Sequence, residues 1–122
     1  MELQIISIVD DDSSVRAATD NLLSSYGYAV YTFSSAEDFL RSPCLHNSSC
    51  IVADVQMPGM SGLDLLTAAR SRGNRTPFIF ITAFPDHNVR TRALKAGAAG
   101  FLEKPFFSAA LIDCIDAVLK GK

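Results

Sequence analysis

A chain of 122 residues, 48% of them hydrophobic, is the size of one domain and can bury a real core; such chains hide roughly two-thirds of their extended surface on folding. The formal net charge of −2 gives no electrostatic bias toward nucleic acid or membrane, so any DNA-binding role has to reside elsewhere. Cys44, Cys50 and Cys114 are an odd number without metal-ligand spacing, and acids follow the first apolar run too early for a signal peptide, which points to reduced thiols in a cytoplasmic protein.

Along the chain, apolar runs alternate with amphipathic segments. Ile5–Val9 reads as a strand, and Ser13 or Ser14 is placed to cap a helix that carries Val15, Ala18, Leu22 and Leu23 on one face and ends at Gly27. Ala29–Phe33 is the second strand; Ser35 then caps a short helix bearing Phe39 and Leu40, broken at Pro43. Ile51–Ala53 is the third strand. After the turn Met57-Pro58-Gly59-Met60, Ser61 is followed three residues later by Asp64, a capping box with Asp in place of Glu. Phe78–Ile81 is the fourth strand, Asp86–Ala96 a helix stopped by Gly97, and Ala99–Leu102 the fifth strand. Phe107–Lys120 closes the chain as a helix with Leu111, Ile112, Ile115, Val118 and Leu119 facing inward.

Five strands alternating with five helices imply an α/β fold, a doubly wound five-stranded parallel sheet covered on both faces, since parallel neighbours need crossover connections. Such sheets bind ligands beyond the carboxyl ends of their strands. Three of the runs stop on charge there: Val9 on Asp10-Asp11-Asp12, Ala53 on Asp54, and Leu102 just before Glu103-Lys104. Four carboxylates and a lysine then share one crevice. Two carboxylates about 4 Å apart repel by roughly 4 kcal/mol at an effective dielectric near 20, so the cluster calls for cations: Lys104 and a divalent metal. No G-x-G-x-x-G follows the first strand, which removes dinucleotide binding, and no hydroxyl-rich phosphate loop follows Val9.

These residues resemble the receiver domain of two-component response regulators over essentially the whole chain. The resemblance is carried by Val9-Asp10-Asp11-Asp12, the stretch from Ala53 through Asp54 to Gly62, the strand end Ile81-Thr82-Ala83, and Glu103-Lys104-Pro105-Phe106; the wording around Asp54 and Lys104 is most similar to transcriptional regulators of the FixJ type. It implies the flavodoxin-like (βα)5 fold with strand order 2-1-3-4-5. Residues 1–122 are then one receiver domain, with both a natural end at Lys122 and a following DNA-binding output domain left open.

The resemblance also implies roles. Asp54 is the phosphoacceptor, taking a phosphoryl group from a phosphohistidine of a sensor histidine kinase. Asp11 and Asp54 ligate Mg²⁺ directly with the backbone carbonyl of Gln56, and Asp10 acts through water. This suits a small cation that keeps several waters in an octahedral oxygen shell. Lys104 pairs with Asp54 and then with a phosphate oxygen, while Thr82 donates its hydroxyl to the phosphate and Phe101 changes rotamer as Thr82 moves. The surface of the 86–96 helix, the fifth strand and the last helix then rearranges toward homodimerisation or an output module. Gln56 and Phe84 occupy the positions that tune acyl phosphate lifetime. The implied protein is a self-catalysing switch, not an enzyme with turnover, and binds neither nucleic acid nor membrane.

Each residue also has a plainer reading. Asp10–Asp12 alone would suit the start of a helix, Asp54 a turn, Lys104 a solvated loop, Thr82 a β-branched strand position, and Phe101 ordinary core. Their joint placement at matching strand ends argues otherwise. A Mg²⁺-dependent phosphohydrolase of D-x-D-x-T type would need an acid at Gln56, and a phosphorylation-independent module would not need the complete set Asp10, Asp11, Asp54, Thr82, Lys104.

Overall fold

The computed structural model describes residues 4–83, 86–104 and 108–120. Its elements in chain order are β1 (Ile5–Val9), α1 (Ser13–Ser25), β2 (Ala29–Phe33), α2 (Ala36–Leu40), α3 (Cys44–Asn47), β3 (Cys50–Asp54), α4 (Gly62–Ser71), β4 (Phe78–Thr82), α5 (His87–Lys95), β5 (Gly100–Glu103) and α6 (Ser108–Lys120). The five strands form one parallel sheet, as expected from the alternation of elements, in the order β2-β1-β3-β4-β5 that the family resemblance implies.

Every residue of β3 and β4 is buried, the mark of strands covered on both faces. Alternate side chains sort to opposite sides. Val9, Ile51, Ala53, Phe78 and Phe80 pack with Phe39, Leu45, Leu65 and Leu66 of α2, α3 and α4, whereas Ile6, Ile8, Val52, Ile79 and Ile81 pack with Leu23 of α1 and Leu111, Ile112 and Ile115 of α6. Each fully buried side chain of this size contributes about 1.5–3 kcal/mol, so the two cores hold the strand ends in fixed register. Val9 pairs with Ala53, Asp54 with Ile81, and Thr82 with Glu103, which brings the residues after β1, β3, β4 and β5 to one edge.

Four local expectations are corrected. The α1 cap is Asp12, not Ser13 or Ser14: its Oδ1 accepts from the backbone N–H groups of Ser14 and Val15 at 2.9 and 3.3 Å, and a carboxylate there also complements the helix dipole. Thr19, not Ala18, lies on the buried stripe of α1; positions 15, 19, 22 and 23 follow the helical period, and Ala18 is exposed at its margin. The second crossover holds two short helices rather than one, because Pro43 starts the turn α3 after α2 has ended at Leu40. Asp54, Thr82 and Glu103 belong to their strands, carrying β3, β4 and β5 one residue past their expected carboxyl ends. The start of the last helix at Phe107 and the Phe106 motif position lie outside the described residues.

Candidate functional site

Asp10 and Asp54 end up side by side because β1 and β3 are neighbours in register, and both are taken out of water: Asp10 is 0% and Asp54 6% exposed. Each carboxylate is fixed the same way. One oxygen accepts from the backbone N–H two residues on, Asp12 N to Asp10 Oδ1 at 2.9 Å and Gln56 N to Asp54 Oδ1 at 3.0 Å. The other oxygen accepts from Lys104 Nζ, at 3.2 Å for Asp10 and 3.0 Å for Asp54. Lys104 is positioned by its own backbone, whose N–H donates to Thr82 O at 2.7 Å as β5 ends.

Asp11 is exposed, and its carboxylate completes a cluster with Asp10 and Asp54 in which one oxygen of each lies within 4.8 Å of the others. Asp12 is absent from the cluster, since it is spent on capping α1, so among the described residues three carboxylates meet here and not four. Three hard oxygen donors gathered together, open to solvent through Asp11, are a donor set that fits a small divalent cation with waters completing its shell.

Electrostatics agree with that reading. Burial raises the Asp10 carboxyl above its ordinary value, the hydrogen bond from Asp12 N lowers it, and the neighbouring Asp54 charge raises it again. Burial alone would lower Lys104, but its hydrogen bond to Asp54 and the charges of Asp10 and Asp54 outweigh it and hold the ammonium above its usual range. One cation therefore serves two buried anions, and a metal would supply the missing positive charge.

Thr82 and Phe101 lie on the adjoining strands. Thr82 is fully buried at the end of β4, and its Oγ1 donates to Gln56 Oε1 at 2.6 Å. Phe101, on β5, is half-buried against the first core, with the Arg90 guanidinium of α5 5.6 Å from its ring centre. Phe84, the second tuning position, lies outside the described residues, as does Pro105.

Two supports were not foreseen from sequence. The loop after Asp54 is held from α2: Glu37 Oε2 accepts from Met60 N at 3.2 Å, and Gly59, with φ +74°, passes so close that a Cβ would come within 2.9 Å of the same oxygen. Gly62 lets α4 start against the Asp54 backbone, since a Cβ there would overlap the Asp54 carbonyl oxygen. Glu37 is 23 residues from Met60, and no local pattern links them. The Asp64–Ser61 capping box, by contrast, is formed in both directions.

Comparison with known proteins adds to this geometry. A family model described as the response regulator receiver domain matches residues 6–116. The chain is 43% identical over 114 residues to the transcriptional regulatory protein FixJ of Azorhizobium caulinodans, covering 93% of this chain and 54% of that protein. It is 40% identical over 114 residues to the transcriptional regulatory protein TdiR of Thauera aromatica, covering 93% and 50%. It thus spans about half the length of the curated relatives it matches. Among solved structures, FixJ-N superposes with a TM-score of 0.89 at 36% identity, covering 100% of this chain and 98% of that one. The chemotaxis protein CheY4 of Vibrio cholerae superposes with the same TM-score at 28% identity, covering 97% and 100%. A match across nearly the whole chain, on a sheet of the same order with its acids gathered at one edge, means that this chain belongs to the response regulator receiver domain family.

Proposed function

We propose that the chain accepts a phosphoryl group on Asp54 from a sensor histidine kinase, in a reaction that needs Mg²⁺, and converts it into a change of surface. The observation that carries this is Asp54 itself: a carboxylate aligned by Gln56 N and Lys104 beside the oxygens of Asp10 and Asp11. An Asp54 oxygen attacks phosphorus, the P–N bond of the phosphohistidine breaks, and its electron pair leaves with the imidazole. Asp54 requires no general base because it reacts as the carboxylate. The charge that spreads over the transferring oxygens is met by Lys104 and by the metal, which supplies the second cationic partner when bound.

Asp11, Asp54 and the Gln56 carbonyl are the proposed direct ligands. Asp10, fully buried where Asp11 is exposed, takes the indirect role, through water. A donor helix has a route to this centre: an apolar groove lined by Val15, Ala18 and Leu22 of α1 and by Ser108 and Leu111 of α6 runs up to Lys104.

The product carries close to two added negative charges and three acceptor oxygens next to Thr82. Capture of the Thr82 hydroxyl and repacking of Phe101 would pass the change to the α5–β5–α6 face and favour a homodimer or an output module. Such a chain modifies itself rather than turning over a substrate, and works in the cytoplasm beside its kinase. No described helix is long and apolar enough to cross a membrane. Incubation with Mg²⁺ and acetyl phosphate, followed by intact mass, tests the reading. One added phosphoryl group, released by hydroxylamine and absent without Mg²⁺, is expected; an acid-stable, hydroxylamine-resistant adduct would contradict it.

A further inference from the structure

We infer that the side-chain carbonyl of Gln56 is a latch on Thr82, a positioning contact that holds the hydroxyl in its resting place and sets how readily the switch is thrown. The inference rests on the proposed phosphorylation of Asp54 for its consequence, but the latch itself is a property of the resting protein. Gln56 is anchored at its backbone by the N–H bond to Asp54 Oδ1 at 3.0 Å. From that point its side chain crosses to Thr82, where Oε1 receives the hydroxyl proton at 2.6 Å. A threonine hydroxyl has a single proton to give. While it is given to Gln56 it cannot be given to a phosphate oxygen, so the two states compete for one donor. The amide's position is also mechanically suited to this: Gln56 is tied to the very carboxylate that would be modified, whereas Thr82 is fully buried in another strand.

The energetic consequence follows from linkage. Phosphorylation can shift Thr82 only by its differential free energy for the two positions, and a bond present only at rest subtracts from it. A side chain at position 56 without an acceptor should therefore raise the ratio of moved to resting Thr82 roughly 2- to 10-fold, the range corresponding to one neutral hydrogen bond. Glu at the same position keeps an acceptor and should keep the latch.

The test compares wild type, Gln56→Met and Gln56→Glu by three-bond couplings that report the Thr82 side-chain torsion, together with the Thr82 methyl resonance, before and after acetyl phosphate in saturating Mg²⁺. Gln56 is exposed, so neither substitution disturbs the core. The expected result is one torsion in resting wild type and Gln56→Glu, averaging in resting Gln56→Met, and a larger moved fraction per phosphoryl group in Gln56→Met. Couplings in Gln56→Met identical to wild type, or equal averaging in both variants, would overturn the latch. Phosphoryl incorporation is read separately by mass: its absence sinks the phosphorylation reading, while the resting couplings still decide the latch.

Discussion

Lys104 Nζ lies 3.0 Å from Asp54 Oδ2, joining residues fifty positions apart in sequence, and the same nitrogen reaches Asp10. The two acids thus depend on one ammonium whose side chain is only 19% exposed. Removing one partner of such a buried pair leaves uncompensated charge, so Lys104→Met should destabilise the metal-free protein by about 3 kcal/mol. Mg²⁺ should then stabilise this variant more than it does wild type, for which the gain is about 2.7 kcal/mol at one hundred times the dissociation constant. Asp54→Asn should gain less from Mg²⁺ than wild type does. Melting curves with and without metal are the check; equal responses in all three proteins would remove the clustered-charge account.

At Gly62 the helix α4 begins in contact with the backbone of Asp54. Added bulk meets the Asp54 carbonyl oxygen and, at 3.1 Å, the ring of Phe80, neither of which can swing aside freely. Gly62→Ala should therefore cost about 1–3 kcal/mol as overpacking, more than alanine's helix propensity returns near a helix start. Because the displaced atom belongs to Asp54, Mg²⁺ affinity should fall as well. A variant that melts like wild type and binds Mg²⁺ equally would show that the approach is not tight.

The alkaline limit of stability should depend on Tyr28. Its hydroxyl donates to Asp116 Oδ1 at 2.8 Å, tying α6 to the residue before β2. Burial first, and then the bond and charge of Asp116, push the phenol up from 10.0 to about 12. A group that holds its proton more tightly when folded adds stability that is complete below pH 10 and is lost as the pH rises toward 12. Tyr28→Phe should cost about 1 kcal/mol at neutral pH, and the gap to wild type should close between pH 10 and 12. A gap that stays constant across that window would contradict the bond. Lys104 also loses its proton above its usual range, but it does so in both proteins and cancels.

Output should separate from phosphorylation at Thr82. Thr82→Ala keeps Asp10, Asp11, Asp54 and Lys104, so it should still gain a phosphoryl group, yet fail to shift toward dimer. Sedimentation velocity of both phosphorylated proteins at low and high salt is the measurement. Charged α5 residues such as Arg90 and Lys95 with the region of Glu103 would give a salt-sensitive association, since exposed pairs are screened. Equal dimerisation of both proteins would exclude Thr82 as the switch.

What the sequence revealed, and what it hid, follows from the range of the interactions. The strands were legible to within a residue or two because buried parallel strands read as short apolar runs, and the charged residues at their ends, Asp10, Asp54 and Lys104, converge once the family resemblance supplies the sheet order. The Ser61–Asp64 capping box is legible because its partners are three residues apart. At α1 three candidate caps stood in a row, and only the backbone geometry selects Asp12 over Ser13 and so removes it from the acid cluster. Thr19 takes the buried position on α1 and Ala18 an exposed one, so apolar residue type alone does not mark the buried stripe. Glu37 against Met60 joins two crossovers and Gln56 against Thr82 joins a loop to a strand, contacts between distant segments that no local period encodes.

The most direct test of phosphorylation at Asp54 is chemical mapping of the modified residue. Borohydride reduces an acyl phosphate to the alcohol, which turns a phosphorylated aspartate into homoserine, and tandem mass spectrometry of the digest then names the position. After treatment with acetyl phosphate and Mg²⁺, homoserine is predicted at position 54 alone, and none should form in Asp54→Asn. Homoserine at Asp10 or Asp11 in the wild type, or phosphate found only on serine or threonine, would contradict the account.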